Sequence, residues 1–364
     1  MRIAYVVGTR PNLVKMAPVI AALRERLPGG RHAIVHTGQH YDRLMSEVFV
    51  QELGVPEPDH LLGVGSGTHG EQTARVIERL EPVLCEERPD LVLVPGDVNS
   101  TLAAALAAAK LGIRLGHVES GLRSFDRSMP EELNRVIADQ LAELLFLHSE
   151  DAAHNLRREG VAGERMHFVG NTMIDTLVAL ETRFRAADAA NRLGLDEGTY
   201  LLVTLHRPAL VDGPLLQVAM QRLAEVARDL PVVFPVHPRT RKMLGETGAD
   251  GRGVVLTEPV GYLDFLSLEA GAAAVLTDSG GIQEETTYLG VPCFTLRANT
   301  ERPVTVRAGT NTVLGLDPAR IAEIPGLLAE RPDGRPDPPA LWDGRAAERI
   351  ADVICGPGGG SAPG

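Results

Sequence analysis

The sequence predicts an α/β protein of two doubly wound domains, and three observations carry that expectation. Short apolar β runs alternate with amphipathic helical stretches, the pattern of a parallel sheet with helical crossovers. The runs fall in two series: Ile3–Val7, His32–His36, Leu91–Val94, Arg114–Val118, Leu144–Leu147 and Met166–Val169, then Tyr200–Leu205, Val232–Val236, Val254–Leu256, Ala273–Thr277 and Cys293–Leu296. The third observation is length, since 364 residues exceed what one hydrophobic core usually fills. The expected organisation is a Rossmann-like domain over 1–185 and a second, nucleotide-binding one over 186–342. A terminal helix over 343–355 would cross back toward the first domain. Within it Gly344–Ile354 reads as helix, with Ala346, Ile350 and Val353 on its apolar face; a flexible Gly-rich tail over 356–364 follows.

Hydrophobic residues at 44% and charged residues at 23% give the balance of a globular chain that buries a real core. The net charge of −12 argues against nucleic acid as a partner, because that affinity comes from Lys and Arg neutralising phosphates. An anionic small ligand must therefore meet a local basic pocket. Cys85, Cys293 and Cys355 lie far apart, without CxxC spacing or His-Cys clustering, so neither a zinc site nor a redox pair is expected. That usage, and a first segment that reads as a strand instead of a signal peptide, points to the cytoplasm. No apolar stretch is long enough to cross a membrane.

Ligands of doubly wound sheets bind beyond the carboxyl ends of strands, so chemistry is sought just after each run, with the interdomain cleft as the default site. After the first run, Gly8-Thr9-Arg10-Pro11-Asn12 opens a helix that carries Lys15. A helix N-terminus with two cations attracts anions, although a solvated Arg and Lys would look the same. Leu91–Val94 runs into Gly96-Asp97, where the carboxylate is either functional or a helix cap. Arg114–Val118 ends in Glu119-Ser120-Gly121, and a Glu there is not needed for folding. Pro130-Glu131-Glu132 then opens a helix that carries Arg135; its paired acids also suit the helix dipole.

In the second half, two runs end in His206-Arg207-Pro208 and His237-Pro238-Arg239, paired imidazoles and cations that suit a phosphate. Asp278-Ser279-Gly280-Gly281 presents backbone N–H groups at a helix start, and Glu285 follows on that helix within reach of ribose hydroxyls. Arg302 is a further phosphate partner.

Taken together, the segments GTRPNLVKMAPV, HTGQHYD, PGDVNSTLAAALAA, GHVESGLRSFDRSMPEELNR, GNTMIDTL, TLHRP, PVHPRTR, EPVGYLDFL, TDSGGIQEET and NTERPVTVRAGTNTVLG resemble the non-hydrolysing UDP-N-acetylglucosamine 2-epimerase family, from Met1 to about Val353. The resemblance implies a GT-B arrangement of the two domains, and a homodimer. It also implies epimerisation at C2 of a UDP-sugar through elimination of UDP to a 2-acetamidoglucal and re-addition, with no cofactor and no metal. By that resemblance Asp97, Glu119 and Glu131 look like the acid/base carboxylates and His206 the imidazole near the diphosphate. Arg10, Lys15, Ser279, Gly280, Gly281 and Arg302 look like diphosphate ligands, Glu285 a ribose ligand, and the backbone near Phe265 the uracil contact. His237, Arg207 and Arg135 complete the candidate set.

One segment departs from the family pattern. After His206-Arg207-Pro208 the family places a polar residue and then Asn, where this chain has Ala209-Leu210. Polar contacts that match substrate groups give the strongest discrimination, so the change bears on which sugar is accepted. A hydrolysing epimerase, an epimerase for a modified UDP-sugar, a GT-B glycosyltransferase and a nucleotide-sugar sensor remain alternatives.

Overall fold

The computed structural model describes residues 1–38, 52–236, 238–247, 253–331 and 334–356. In the first sheet, β1 (Arg2–Val7), β2 (Arg31–His36), β3 (His60–Leu61), β4 (Leu91–Pro95), β5 (Arg114–Ser120), β6 (Leu144–Leu147) and β7 (Met166–Phe168) pair in the order β3-β2-β1-β4-β5-β6-β7. Every pairing is parallel. Strands of a parallel sheet are covered on both faces, which is why β1 and β4 are apolar runs without alternation. Against one face lies the helix Asn99–Lys110, whose Ala103, Ala104, Ala107 and Ala108 pack with Val6, Val92, Val94 and Leu115.

The second sheet contains β8 (Leu201–Thr204), β9 (Val232–Pro235), β10 (Val254–Thr257), β11 (Ala274–Thr277), β12 (Cys293–Thr295) and β13 (Asn311–Val313), again wholly parallel, in the order β10-β9-β8-β11-β12-β13. Its core joins Val203, Phe234, Leu276 and Phe294 to Leu216, Met220 and Leu223 of the helix Leu215–Val226. In each sheet the strand order reverses direction beside the first strand, between β1 and β4 and between β8 and β11. A crevice opens at the carboxyl ends of strands at such a switch point.

The chain divides into a unit of Met1–Ala179 with the segment from Ala340 onward, and a unit of Leu180–Pro339. Two doubly wound α/β halves are thus observed, as the alternating pattern predicts. Two edge strands, β3 and β13, escape the sequence reading, because two or three residues are too few to show a period. The last helix runs from Ala346 to Cys355, starting later than Gly344 because that glycine sits at φ +78 and Asp175 accepts from the Ala346 and Ala347 N–H groups at 3.0 and 2.6 Å. It packs on the helix Arg10–Arg26 of the same unit. Of the tail expected over 356–364, residues 357–364 lie outside the described residues. Among the described residues no helix is long and apolar enough to cross a membrane.

Candidate active site

In the first unit the candidate residues gather at the carboxyl ends of β1, β4 and β5. The register of β5 against β6 slips between Val118 and Ser120, and the intervening Glu119 has φ +67. A bulge with a left-handed residue re-aims one side chain, at a backbone cost of about 1–3 kcal/mol for a non-glycine. The re-aimed carboxylate is buried and forms an ion pair with buried Lys15. Gly96, at φ +63, lies against this pair: a Cβ there would stand 3.1 Å from Lys15 Nζ and 3.4 Å from Glu119 Oε2. Lys15 thus faces a carboxylate, an arrangement that its spacing after Gly8 does not show.

Asp97 follows Gly96. It does not cap the next helix, whose N-cap is Val98. Instead Arg135 Nε donates to Asp97 Oδ2 at 2.9 Å, and Asn134 donates to the Asp97 backbone oxygen at 2.8 Å. The paired acids Glu131 and Glu132 separate in role. Glu132 is buried, accepting from the backbone N–H groups of Ser124 and Phe125, each at 2.9 Å, and pairing with Arg135. Glu131 is half-buried, and among the described residues no hydrogen bond or ion pair holds it. Arg10 begins the helix Arg10–Arg26 with Pro11 in its first turn; burial holds its guanidinium below the ordinary value, with Glu52 acting in the opposite direction.

In the second unit, His206 and Arg207 follow β8 and Asp278 follows β11, neighbouring strands at the switch point. Asp278 is 1% exposed and accepts from the backbone N–H groups of His206 and Arg207 at 2.8 and 2.7 Å. Its other oxygen lies 2.9 Å from His206 Nδ1. Burial works to raise the Asp278 carboxyl, but His206 and the two N–H groups outweigh it and hold the group below its ordinary value. A carboxylate on Nδ1 fixes the tautomer and turns Nε2, on a half-exposed ring, toward a ligand. Next in the chain, Leu210 is buried in the second core while Ala209 is exposed. Only Ala209 of the two altered positions therefore presents its side chain outward.

Ser279 is the N-cap of the helix Gly280–Leu289, and its own N–H donates to Thr277 Oγ1 at 2.9 Å. A Cβ on Gly280 would stand 2.3 Å from Arg302 Nη1, so the guanidinium lies directly on the helix start and a side chain there would have to displace it. Arg302 is buried; its Nε donates to Glu284 Oε1 at 2.5 Å, and Glu301 lies 3.5 Å from Nη1. Gly281 is the second residue of that helix. Two backbone amides at a helix start, with the guanidinium already paired to Glu284 and Glu301 beside them, present the positive end of the helix dipole, which suits an anion.

Farther along the helix, buried Glu285 accepts from Tyr262 Oη at 2.7 Å. Burial pushes its carboxyl up to about 7, with the Tyr262 hydrogen bond opposing and Glu284 adding. Burial and then Glu285 push the fully buried Glu269 well above the carboxylate range. Phe265, one turn along the helix Tyr262–Ala270 from Tyr262, is half-buried against Tyr200, Leu202 and Leu268. His237 lies outside the described residues. Asp278, Glu269 and Tyr262 adjoin the candidate residues His206 and Glu285 and were not singled out in the sequence reading. Asp278 stands directly after an apolar run, and that position was its only signal.

Fold and site define a class: doubly wound α/β proteins with carboxylates, an imidazole and anion-binding groups at the carboxyl ends of two parallel sheets. The chain belongs to the UDP-N-acetylglucosamine 2-epimerase family, whose model matches residues 23–355. It is 40% identical to a UDP-N-acetylglucosamine 2-epimerase of Methanococcus maripaludis, over 98% of each chain. It is 39% identical to a UDP-2,3-diacetamido-2,3-dideoxy-D-glucuronate 2-epimerase of Pseudomonas aeruginosa, over 97% of this chain and 99% of the other. Its structure resembles Methanocaldococcus jannaschii UDP-GlcNAc 2-epimerase in complex with UDP-GlcNAc and UDP, with a TM-score of 0.88 and 39% identity, covering 97% of this chain and 99% of the other.

Proposed function

We propose that this chain interconverts UDP-N-acetylglucosamine and UDP-N-acetylmannosamine without a cofactor, by eliminating UDP to a 2-acetamidoglucal and re-adding it. The observation that carries the reading is that Asp97 and Glu119 stand at the ends of neighbouring strands, each paired with a buried cation, Arg135 and Lys15. Inverting C2 requires a proton to leave one face and return to the other, so one fixed base is not enough.

In the forward step a carboxylate takes the C2 proton. The C2–H electrons become the C1–C2 double bond, and the C1–O electrons leave with UDP. In the return step the opposite carboxyl protonates C2, and a UDP oxygen adds to C1. Glu131, unengaged among the described residues, is the third acid/base group. The departing diphosphate needs positive groups already in place: the Gly280 and Gly281 amides, Ser279, Arg302 and Arg10, with His206 and Arg207 beside the leaving oxygen. Glu285 takes the ribose, and the backbone at Phe265 the uracil. The family resemblance further supports a cytoplasmic homodimer.

Incubation with UDP-N-acetylglucosamine in deuterated water tests the reading. Deuterium should enter C2 of both UDP-sugars as they equilibrate. Release of free N-acetylmannosamine would replace it with the hydrolysing alternative. A second reading, a modified UDP-sugar such as a 2,3-diacetamido uronate, is favoured by the relative named for that sugar and by the exposed alanine at position 209. A panel of UDP-sugars ranked by kcat/KM decides between the two.

A further inference from the structure

Behind Asp97 and Glu119 lies a charged cluster that takes no part in the chemistry proposed above. Asp139, on the helix Pro130–Leu141, is fully buried, as is His117 on β5. Asp139 Oδ1 lies 2.7 Å from His117 Nδ1, and His117 Nε2 lies 2.7 Å from the Gly96 carbonyl oxygen. The other oxygen, Oδ2, accepts from the Gly121 N–H at 3.1 Å and lies 2.7 Å from Arg123 Nη1. Arg123 in turn donates to both oxygens of Glu159, at 2.7 and 2.6 Å.

A carbonyl oxygen only accepts, so Nε2 must carry a proton. A carboxylate also only accepts, so Nδ1 must carry one too. His117 is therefore held as an imidazolium between two acceptors. The contacts made by this pair are unusual in where they land. Gly96 immediately precedes Asp97, and His117 and Gly121 bracket Glu119 on either side of its left-handed turn. The same helix contributes Arg135 and Asn134, which hold the Asp97 side chain and backbone.

We propose that Asp139 is a positioning residue for both carboxylates at once: through His117 it fixes the Gly96–Asp97 peptide, and through the Gly121 N–H it fixes the far side of the Glu119 bulge. One buried carboxylate thus sets the spacing of the two groups that would act on opposite faces of C2. The proposal rests on the epimerase reading for its kinetic consequence and on geometry alone for its structural one. A solely structural Asp139 would cost stability and leave the turnover of the folded enzyme intact. A positioning Asp139 costs turnover, because a misplacement of about 1 Å in a reacting group loses about 100-fold in rate.

The test pairs Asp139→Asn with His117→Gln, both close to the natural shapes. Each folded variant should lose about 100-fold in kcat while KM and UDP affinity stay within about threefold, since the diphosphate groups are untouched. Turnover within about threefold of wild type in either folded variant overturns the proposal. Selective 15N-histidine labelling supplies a readout independent of activity. Wild type should show His117 with two exchange-protected ring protons, and the Nδ1 proton should disappear in Asp139→Asn. A His117 with one ring proton in wild type overturns the relay. If wild type shows both protons but turns over no UDP-sugar, the epimerase reading fails and the relay stands.

Discussion

Arg135 Nε lies 2.9 Å from Asp97 Oδ2, in an ion pair whose guanidinium is 3% exposed and whose carboxylate is 25% exposed. The asymmetry matters. A buried guanidinium must keep its partners or remain a desolvated charge, so Arg135 stays anchored between Asp97 and Glu132. The partly open carboxylate is held in orientation while still able to meet a ligand. Glu119 and Lys15 differ in that both are buried.

Asp97→Asn and Glu119→Gln should each abolish turnover while UDP affinity changes by less than about tenfold, because the diphosphate is held by other groups. Steady-state rates with calorimetric UDP titration check this, and full activity in either variant removes that carboxylate from the acid/base role. Arg135→Lys should retain the charge but lose the fork that spans Asp97 and Glu132, lowering kcat by about 10-fold or more.

Arg10→Ala should act on binding instead. A guanidinium at a helix start that contacts a diphosphate contributes about 1.5–3 kcal/mol as a charge-assisted hydrogen bond. Calorimetry should show UDP affinity weaker by that amount. Unchanged affinity would take Arg10 out of the site.

In the wild type Asp278 Oδ2 accepts from two backbone N–H groups while Oδ1 lies 2.9 Å from His206 Nδ1, so the single oxygen of Asp278→Asn can face the N–H pair or the ring but not both. The side-chain amide can then face Nδ1 as a donor and select the opposite tautomer. Turnover should fall by at least about tenfold, and stability by about 1–3 kcal/mol for weakened buried hydrogen bonds to a charged group. His206→Gln should lose the turnover with little of the stability, since its half-exposed ring is the only part removed. Comparing denaturation midpoints of the two variants separates orientation of the ring from support of the loop.

The strand-end rule directed attention to Asp97, Glu119 and His206, because a doubly wound sheet presents its carboxyl ends to ligands and these residues stand at or just beyond strand ends. Their partners were less legible. Arg135 and Asp97 are brought together by the helix Pro130–Leu141 packing beside β5, and no local spacing encodes a contact across 38 residues. The Lys15–Glu119 pair spans 104 residues. Glu132 and Glu131 were indistinguishable as an acidic first turn until the loop at Ser124 and Phe125 folded onto one of them. Leu210 shows the same limit from the other side. As a substitution it resembled a change in the binding site, yet it points into the core.

The buried Glu285 makes stability depend on pH in a predictable direction. Its folded value of about 7 exceeds the ordinary 4.5, because burial disfavours the charge more than the Tyr262 hydrogen bond supports it. Between those values the unfolded chain gives up this proton and the folded chain keeps it. Ionisation therefore draws the equilibrium toward the unfolded state, so the contribution is fully present below the unfolded value and is lost as pH rises through the folded one. Glu284, Glu269 and Tyr262 are the groups that face it, and Glu284 adds to burial in keeping its charge unwelcome. Asp175, pushed up to about 6 by burial, and Glu269, pushed up by burial and then by Glu285, have the same sign, so the wild-type curve alone does not isolate Glu285. Glu285→Gln removes its own titration and its push on Glu269, and leaves that of Asp175. Denaturant midpoints of the two proteins should diverge, with wild type losing stability relative to the variant as pH climbs through that window. Parallel curves would mean that Glu285 is already ionised in the folded protein, poised to accept ribose hydroxyls without first losing a proton.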